Sequence, residues 1–128
     1  MIPDHVHQKT ALIDVVAVPV RGDAPPQFTQ IGNRLSVFQR LVGGPIEIVR
    51  RDWPRMECGC RVVLVCNEEG LLRKLPPNPR LSPVLHSLPP LVGDVFLVGE
   101  GLVDSEEDGT EMDFLSITLD WVNRRGMR

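Results

Sequence analysis

Five residues near the middle of the chain have the chemistry to bind a ligand or a partner. Four are arginines that flank predicted strands, and the fifth is a tryptophan: Arg50, Arg51, Trp53, Arg55 and Arg61. Convergent guanidinium groups can hold a phosphate or a carboxylate through paired hydrogen bonds, and tryptophan and arginine are enriched in contact hot spots. The alternative interpretation is a solvated face whose charges keep sheet edges from associating.

The polar stretch 52–59, which the arginines bracket, is the longest polar excursion between two predicted strands. It has too few apolar residues to form core, and loops held on a rigid sheet commonly carry recognition. We therefore expect this stretch and the adjoining strand edge to form the main surface for a partner or for self-association.

Two cysteines and two histidines could offer ligands to a metal ion. Cys58 and Cys60 stand two apart, and His5 and His7 flank a valine near the N-terminus. Two thiolates and two imidazoles suit a tetrahedral zinc ion, but structural zinc sites usually separate their cysteines by two or more residues. We therefore interpret Cys58 and Cys60 as reduced, exposed thiols, and we expect the fold to need neither a metal nor a cofactor.

The sequence contains no familiar catalytic arrangement. Cys66 ends an apolar run and is interpreted as a small core residue. No serine or cysteine near His86 forms a known nucleophile motif with it, and Glu68 and Glu69 occupy the middle of a turn. We therefore expect a binding protein rather than an enzyme.

Length and charge exclude several classes of protein. A chain of 128 residues is one domain by the usual size range. The net charge of −3 combines +3 over residues 40–80 with −6 over residues 81–128, which is too mild for a DNA mimic or for a dedicated nucleic-acid binder. No run is long enough to span a membrane, no targeting pattern opens the chain, and three cysteines do not make a secreted disulfide framework. We expect a cytoplasmic protein.

Apolar runs predict the strands. Residues 62–66 are apolar, β-branched and too few for a typical helix, so they indicate a buried strand. The turn 67–70 follows, and we expect a left-handed Gly70 to close a hairpin with residues 71–75 as the partner strand. The remaining predicted strands are 11–20, 27–31, 46–49 and 95–98.

Capping and stop signals predict the helices. Asn33 is expected to cap a helix that ends at Gly43, and Asn78 is expected to cap a short one. A last helix should begin near Ser116 or Thr118, after an acidic loop over residues 104–110. We therefore predict an α+β fold: an N-terminal arm (1–10), then a single domain (11–126) with a mixed, mostly antiparallel sheet of five or six strands and two or three short helices.

Four short motifs, taken in order, carry a family resemblance. They are Val42-Gly43-Gly44, Asn67-Glu68-Glu69-Gly70, Pro77-Asn78-Pro79 and Gly93-Asp94. As a set they resemble a family of small proteins of unknown function that occur mainly in bacteriophages and in bacteria that carry mobile elements. The resemblance covers residues 30–120 and implies a small α+β fold and a phage-related setting, without an activity. Residues 51–60 are longer and richer in cysteine than the family usually shows.

Three functions remain open from the sequence. The absence of a nucleophile, metal or acid–base motif favours a non-enzymatic binding protein, an accessory factor of a phage or mobile element that acts on a host protein or a small ligand. The second is binding of nucleic acid or a nucleotide phosphate through the central arginines. The third is a small zinc-dependent enzyme that uses Cys58 and Cys60.

Overall fold

The computed structural model describes residues 6–20, 25–50, 53–70, 93–105 and 109–124. Within those ranges the chain forms seven strands and two helices. The strands are β1 Val6–Gln8, β2 Leu12–Val18, β3 Gln27–Gly32, β4 Ile46–Arg50, β5 Arg61–Asn67, β6 Val95–Ser105 and β7 Gly109–Leu115. The helices are α1 Leu35–Val42 and α2 Leu119–Arg124. No helix in this part of the chain is long and apolar enough to cross a membrane.

The longest strand, β6, pairs with four others. Its first half lies between β2 and β5, both antiparallel, in the order β3-β2-β6-β5-β4. Its second half pairs antiparallel with β7 and parallel with β1. Glu100 pairs with Arg61 of β5 and with Phe114 of β7, so β7 lies on the edge opposite β5. One strand therefore joins two sets of neighbours into one sheet.

Both faces of the sheet are buried because residues of β2, β5 and β6 alternate between two apolar clusters. The first face, which we call the α2 face, includes Leu64, Leu97 and Val103, and Trp121 of α2 packs on it. The second, the α1 face, includes Val63 and Phe96, and α1 covers it. Strands that are apolar on both sides are typical of a sheet with two covered faces.

Helix α1 ends where the sequence predicts. Gly43 adopts a left-handed φ of 83°, and its N–H donates to the Gln39 carbonyl at 2.8 Å. The start differs by a residue from the expectation, because Arg34 precedes the first turn. Asn33 does not cap the helix; its side-chain amide instead donates to the Thr10 carbonyl at 3.0 Å.

The α+β class and the mostly antiparallel sheet are confirmed, but the predicted five or six strands are too few. Two strands, β1 and β7, lie where the sequence predicts none. Part of β7 falls in the predicted acidic loop over residues 104–110, but β6 continues to Ser105 and pairs with residues 109–115. Acidic residues of β7 face a cation instead of the core, since Lys9 Nζ lies 3.6 Å from Glu111 and 3.7 Å from Asp113. Residues 6–8 of the predicted N-terminal arm form β1.

The turn after β5 is closed without a left-handed glycine. The positive-φ glycines of the described residues are Gly43, Gly59 and Gly93, so the expectation for Gly70 is wrong. Asn67 holds the turn instead: its Oδ1 accepts from the Glu69 N–H at 2.7 Å, and its carbonyl accepts from Gly70 at 3.2 Å. The predicted partner strand 71–75 and the predicted helix after Asn78 lie outside the described residues.

A methyl group at Gly99 would collide with backbone. A Cβ added at Gly99 would lie 2.6 Å from Met56 Cε and 2.9 Å from the Leu115 carbonyl oxygen. Since a backbone oxygen in a paired strand cannot move aside, Gly99→Ala should lower the free energy of unfolding by about 1–3 kcal/mol. Urea unfolding measures this change in the free energy of unfolding. Gly32→Ala is the comparison, because its Cβ would meet a Val37 methyl at 3.3 Å; an equal loss in the two variants would contradict the steric explanation.

Candidate ligand-binding pocket

A cavity of about 500 Å³ opens where β4, β5 and β6 meet the loop before β5. Charged, sulfur-containing and apolar side chains line it, with two glycines: Arg50, Arg55, Cys58, Gly59, Cys60, Arg61, Glu100, Gly101, Leu102 and Met112. The described lining residues include three arginines and one carboxylate, so their formal charges sum to an excess of positive charge. We call this cavity the arginine pocket.

Sheet geometry places two of the arginines and the glutamate together. Arg50 ends β4, and Arg61 begins β5 directly opposite Glu100 of β6. All three project to the α1 face, because they share the alternation of Ile48, Val63 and Val98, which belong to its cluster. Arg55 comes from the loop, where its guanidinium donates to the Gly59 carbonyl at 3.0 Å.

Among the described residues that line the pocket, Glu100 is the one acid, and it is only 5% exposed. Arg50 donates to both of its oxygens, with Nε to Oε1 at 2.8 Å and an Nη2 contact to Oε2 at 2.6 Å. This hydrogen bonding raises the pKa of Arg50, with a further contribution from the carboxylate charge, while partial burial acts in the opposite direction. The paired geometry compensates a buried charge and fixes Arg50. The paired hydrogen bonds of Glu100 go to Arg50 and not to Arg55 or Arg61.

The loop over residues 53–60 is tied to the fold at several points. Met56 is 4% exposed and belongs to the α2-face cluster, and Trp53 is partly buried against the same cluster. Trp121 Nε1 donates to the Pro54 carbonyl at 2.8 Å. The sequence predicts that residues 52–59 have too few apolar residues to form core, but Met56 is buried in the α2-face cluster, and Trp53 and Cys58 pack against it. Part of the Trp53 side chain is therefore buried against the α2-face cluster.

The cysteines differ from the expectation of two exposed thiols. Cys58 is partly exposed, but Cys60 is buried, and the structure brings His7 beside them. Burial first, and then the neighbouring Cys58 thiol, raise the pKa of Cys60 to about 12. Cys60 is therefore a thiol at neutral pH and a poor nucleophile. Cys66 is a core residue, as predicted, and burial raises its pKa to about 11.

The structure thus unites three of the five residues that the sequence selected. Arg50, Arg55 and Arg61 share the pocket, Trp53 packs against the α2-face cluster and does not line the pocket, and Arg51 lies outside the described residues. Sequence reasoning missed Glu100. Its signal was present, since it is a lone charge inside an otherwise apolar run and stands between two glycines. Charges inside such runs are rarely buried without a partner.

Comparisons with known proteins identify a family and a fold. The family model described as "Domain of unknown function (DUF3846)" matches residues 13–118, which is most of the chain. Among solved structures, the crystal structure of the small RNA methyltransferase HEN1 is similar, with a TM-score of 0.64 and 16% sequence identity. The match covers 94% of this chain but only 17% of the methyltransferase chain. At this level of identity it shows a similar fold and nothing more. No curated protein matches.

Replacing Arg50 with methionine removes the partner of the buried Glu100 carboxylate. We expect the free energy of unfolding to fall by about 2–3 kcal/mol, less than for a fully buried pair because the Arg50 side chain is half exposed. The control is the double variant Arg50→Met with Glu100→Met, which removes both charges and should recover most of the loss. Urea unfolding followed by circular dichroism measures both variants. A double variant that is no more stable than the single one would show that the unpaired carboxylate is not the cause.

Proposed function

We propose that this chain, which belongs to the DUF3846 family, is a non-enzymatic binding protein whose arginine pocket takes a small ligand with a phosphate or carboxylate group. The observation that carries the proposal is the convergence of Arg50, Arg55 and Arg61 on one cavity around a single buried carboxylate. Each arginine comes from a different element, so the cluster is a product of the fold and not of a basic run in the sequence.

The charge balance supports an anionic ligand. Glu100 pairs with Arg50, and the guanidinium groups of Arg55 and Arg61 add positive charge to the lining of the same cavity. A guanidinium presents a planar fork of donors that matches the paired oxygens of a carboxylate or phosphate. Because Glu100 and the loop carbonyl of Gly59 orient two of the three arginines, little ordering cost remains when a ligand binds.

The apolar wall supports a ligand with an apolar body beside its charged group. Leu102 and Met112 pair across β6 and β7 and line the pocket, and Met112 is 58% exposed. The volume falls within the usual range of small-molecule sites, which combine apolar walls with a few fixed polar groups. A compact cavity of this kind suits a small molecule better than the extended backbone of a nucleic acid, which would need a longer basic track.

The wider biological setting remains a proposal of its own. The motif resemblance implies a phage or mobile-element accessory factor, and a protein partner is the alternative to a small ligand. The fold likeness to a methyltransferase at 16% identity adds no transferase activity to this proposal.

Anion binding can be measured by isothermal titration calorimetry with inorganic phosphate, pyrophosphate and octanoate as probes. Arg55→Gln and Arg61→Gln should each weaken the best probe about tenfold or more, because each removes a charge-assisted hydrogen bond worth about 1.5–3 kcal/mol. Arg40→Gln is the matched control, since Arg40 is exposed at the end of α1 and does not line the pocket. Raising the salt concentration should weaken binding to the wild-type protein.

Two results would count against the proposal. One is the absence of binding by any of the three probes. The other is equal weakening by Arg40→Gln and Arg61→Gln, which would indicate a diffuse charge effect in place of a pocket. A gel shift with single- and double-stranded oligonucleotides, sensitive to salt and to Arg61→Gln, would instead support the nucleic-acid alternative.

A further inference from the structure

We infer that His7, Cys58 and Cys60 form a binding site for one Zn²⁺ ion. Their ligand atoms all lie within 4.8 Å of one another, and His7 Nε2 lies 3.1 Å from Cys60 Sγ. The inference does not depend on the proposed anion binding, because the three arginines that carry that proposal are not zinc ligands, although Cys58 and Cys60 also line the arginine pocket.

The sheet brings the histidine to the cysteines. Parallel pairing of β1 with β6 sets His7 opposite Val103, whose side chain is buried in the α2-face cluster. Partners in register project to the same face of a sheet, so the imidazole lies on the side where Cys60 is buried and Cys58 packs. More than fifty residues separate His7 from Cys60 in the sequence. The pairing of β1 with β6 brings the two side chains together in space.

The glycine between the cysteines removes the objection to their spacing. In an extended chain, residues two apart lie about 6.5–7 Å from each other along the strand. Gly59 instead has a left-handed φ of 85°, and its N–H donates to the Met56 carbonyl at 2.8 Å. A further hydrogen bond from the Met56 N–H to the Cys60 carbonyl, at 3.0 Å, closes the turn. The chain doubles back here, so both sulfur atoms converge.

A second glycine makes room for the buried sulfur. A Cβ at Gly101 of β6 would lie 3.1 Å from Cys60 Sγ, closer than the ordinary contact distance of such atoms. In a tetrahedral zinc site with bonds of about 2.0–2.3 Å, ligand atoms lie about 3.3–3.8 Å apart. The separations in the cluster, 3.1 Å between His7 Nε2 and Cys60 Sγ and at most 4.8 Å overall, lie close to that spacing.

The donor set favours zinc over harder cations. Thiolates and an imidazole are soft or borderline ligands, whereas calcium and magnesium require oxygen ligands. Binding one Zn²⁺ converts two thiols into thiolates, so two protons pass to the solvent and the two negative charges balance the ion. Three protein ligands leave a fourth coordination position, as in catalytic zinc sites. Both cysteines also line the arginine pocket, so that position lies near the cavity wall.

The test uses the full chain, reduced and stripped of metal with a chelator. Zn²⁺ is titrated against a chromophoric competitor, and Co²⁺ is titrated in parallel, because cobalt reports thiolate ligation by a charge-transfer band and tetrahedral geometry by its visible bands. We expect one ion per chain, a cobalt–thiolate spectrum and a higher melting temperature with Zn²⁺. Cys58→Ala and His7→Gln should each weaken Zn²⁺ binding by at least about 10- to 100-fold, the loss that follows even when only a partner of a metal ligand is removed.

Cys66→Ala is the matched control, since Cys66 is a buried thiol that does not belong to the cluster; it should bind Zn²⁺ like the wild type. Cys58 and His7 are partly exposed, so their variants should fold and stay informative even if a Cys60 variant does not. The inference is overturned by a chain that binds no Zn²⁺, by a cobalt spectrum without a thiolate band, or by unchanged affinity in Cys58→Ala and His7→Gln.

Discussion

The pairing of β6 with four other strands is the constraint on which the structure depends. Its backbone groups are shared between β2 and β5 in the first half and between β7 and β1 in the second. The change of neighbours occurs at Gly99 to Gly101. A Cβ at Gly99 would lie too close to Met56 and the Leu115 carbonyl, and one at Gly101 would lie too close to the side chains of Leu115 and Cys60. These small residues allow the sheet, the loop before β5 and the end of β7 to meet at one place.

That place is also where the chemistry is concentrated. Between the two glycines stands Glu100, whose carboxylate is buried and held by Arg50. Burial of one acid among three arginines fixes the direction of at least one guanidinium, because a carboxylate in such a site must be compensated. The same strand carries the register that sets His7 against Val103. The proposed anion pocket and the proposed zinc site are therefore neighbours for a structural reason.

The loop over residues 53–60 has some residues that fix it to the fold and others that line the arginine pocket. Met56 enters the α2-face cluster, and Trp121 holds the Pro54 carbonyl, so the backbone of the loop is fixed. Arg55 and Cys58 stay at the surface and face the pocket. A segment that is polar in sequence is thus anchored by packing and hydrogen bonds to the rest of the fold.

The sequence by itself determined the elements whose signals are local. An apolar β-branched run is enough to predict β5, and a glycine after a helical apolar pattern is enough to predict the end of α1 at Gly43. It also selected Arg50, Arg55 and Arg61. Only the tertiary structure decided that β7 is a strand, that Glu100 bridges Arg50, and that His7 reaches Cys60. The physical reason is that these features arise from pairing between segments that are distant in the sequence. The local sequence of a strand does not specify which distant strand it will pair with. The same holds for Gly59, whose left-handed backbone brings together two cysteines that their spacing alone would keep apart.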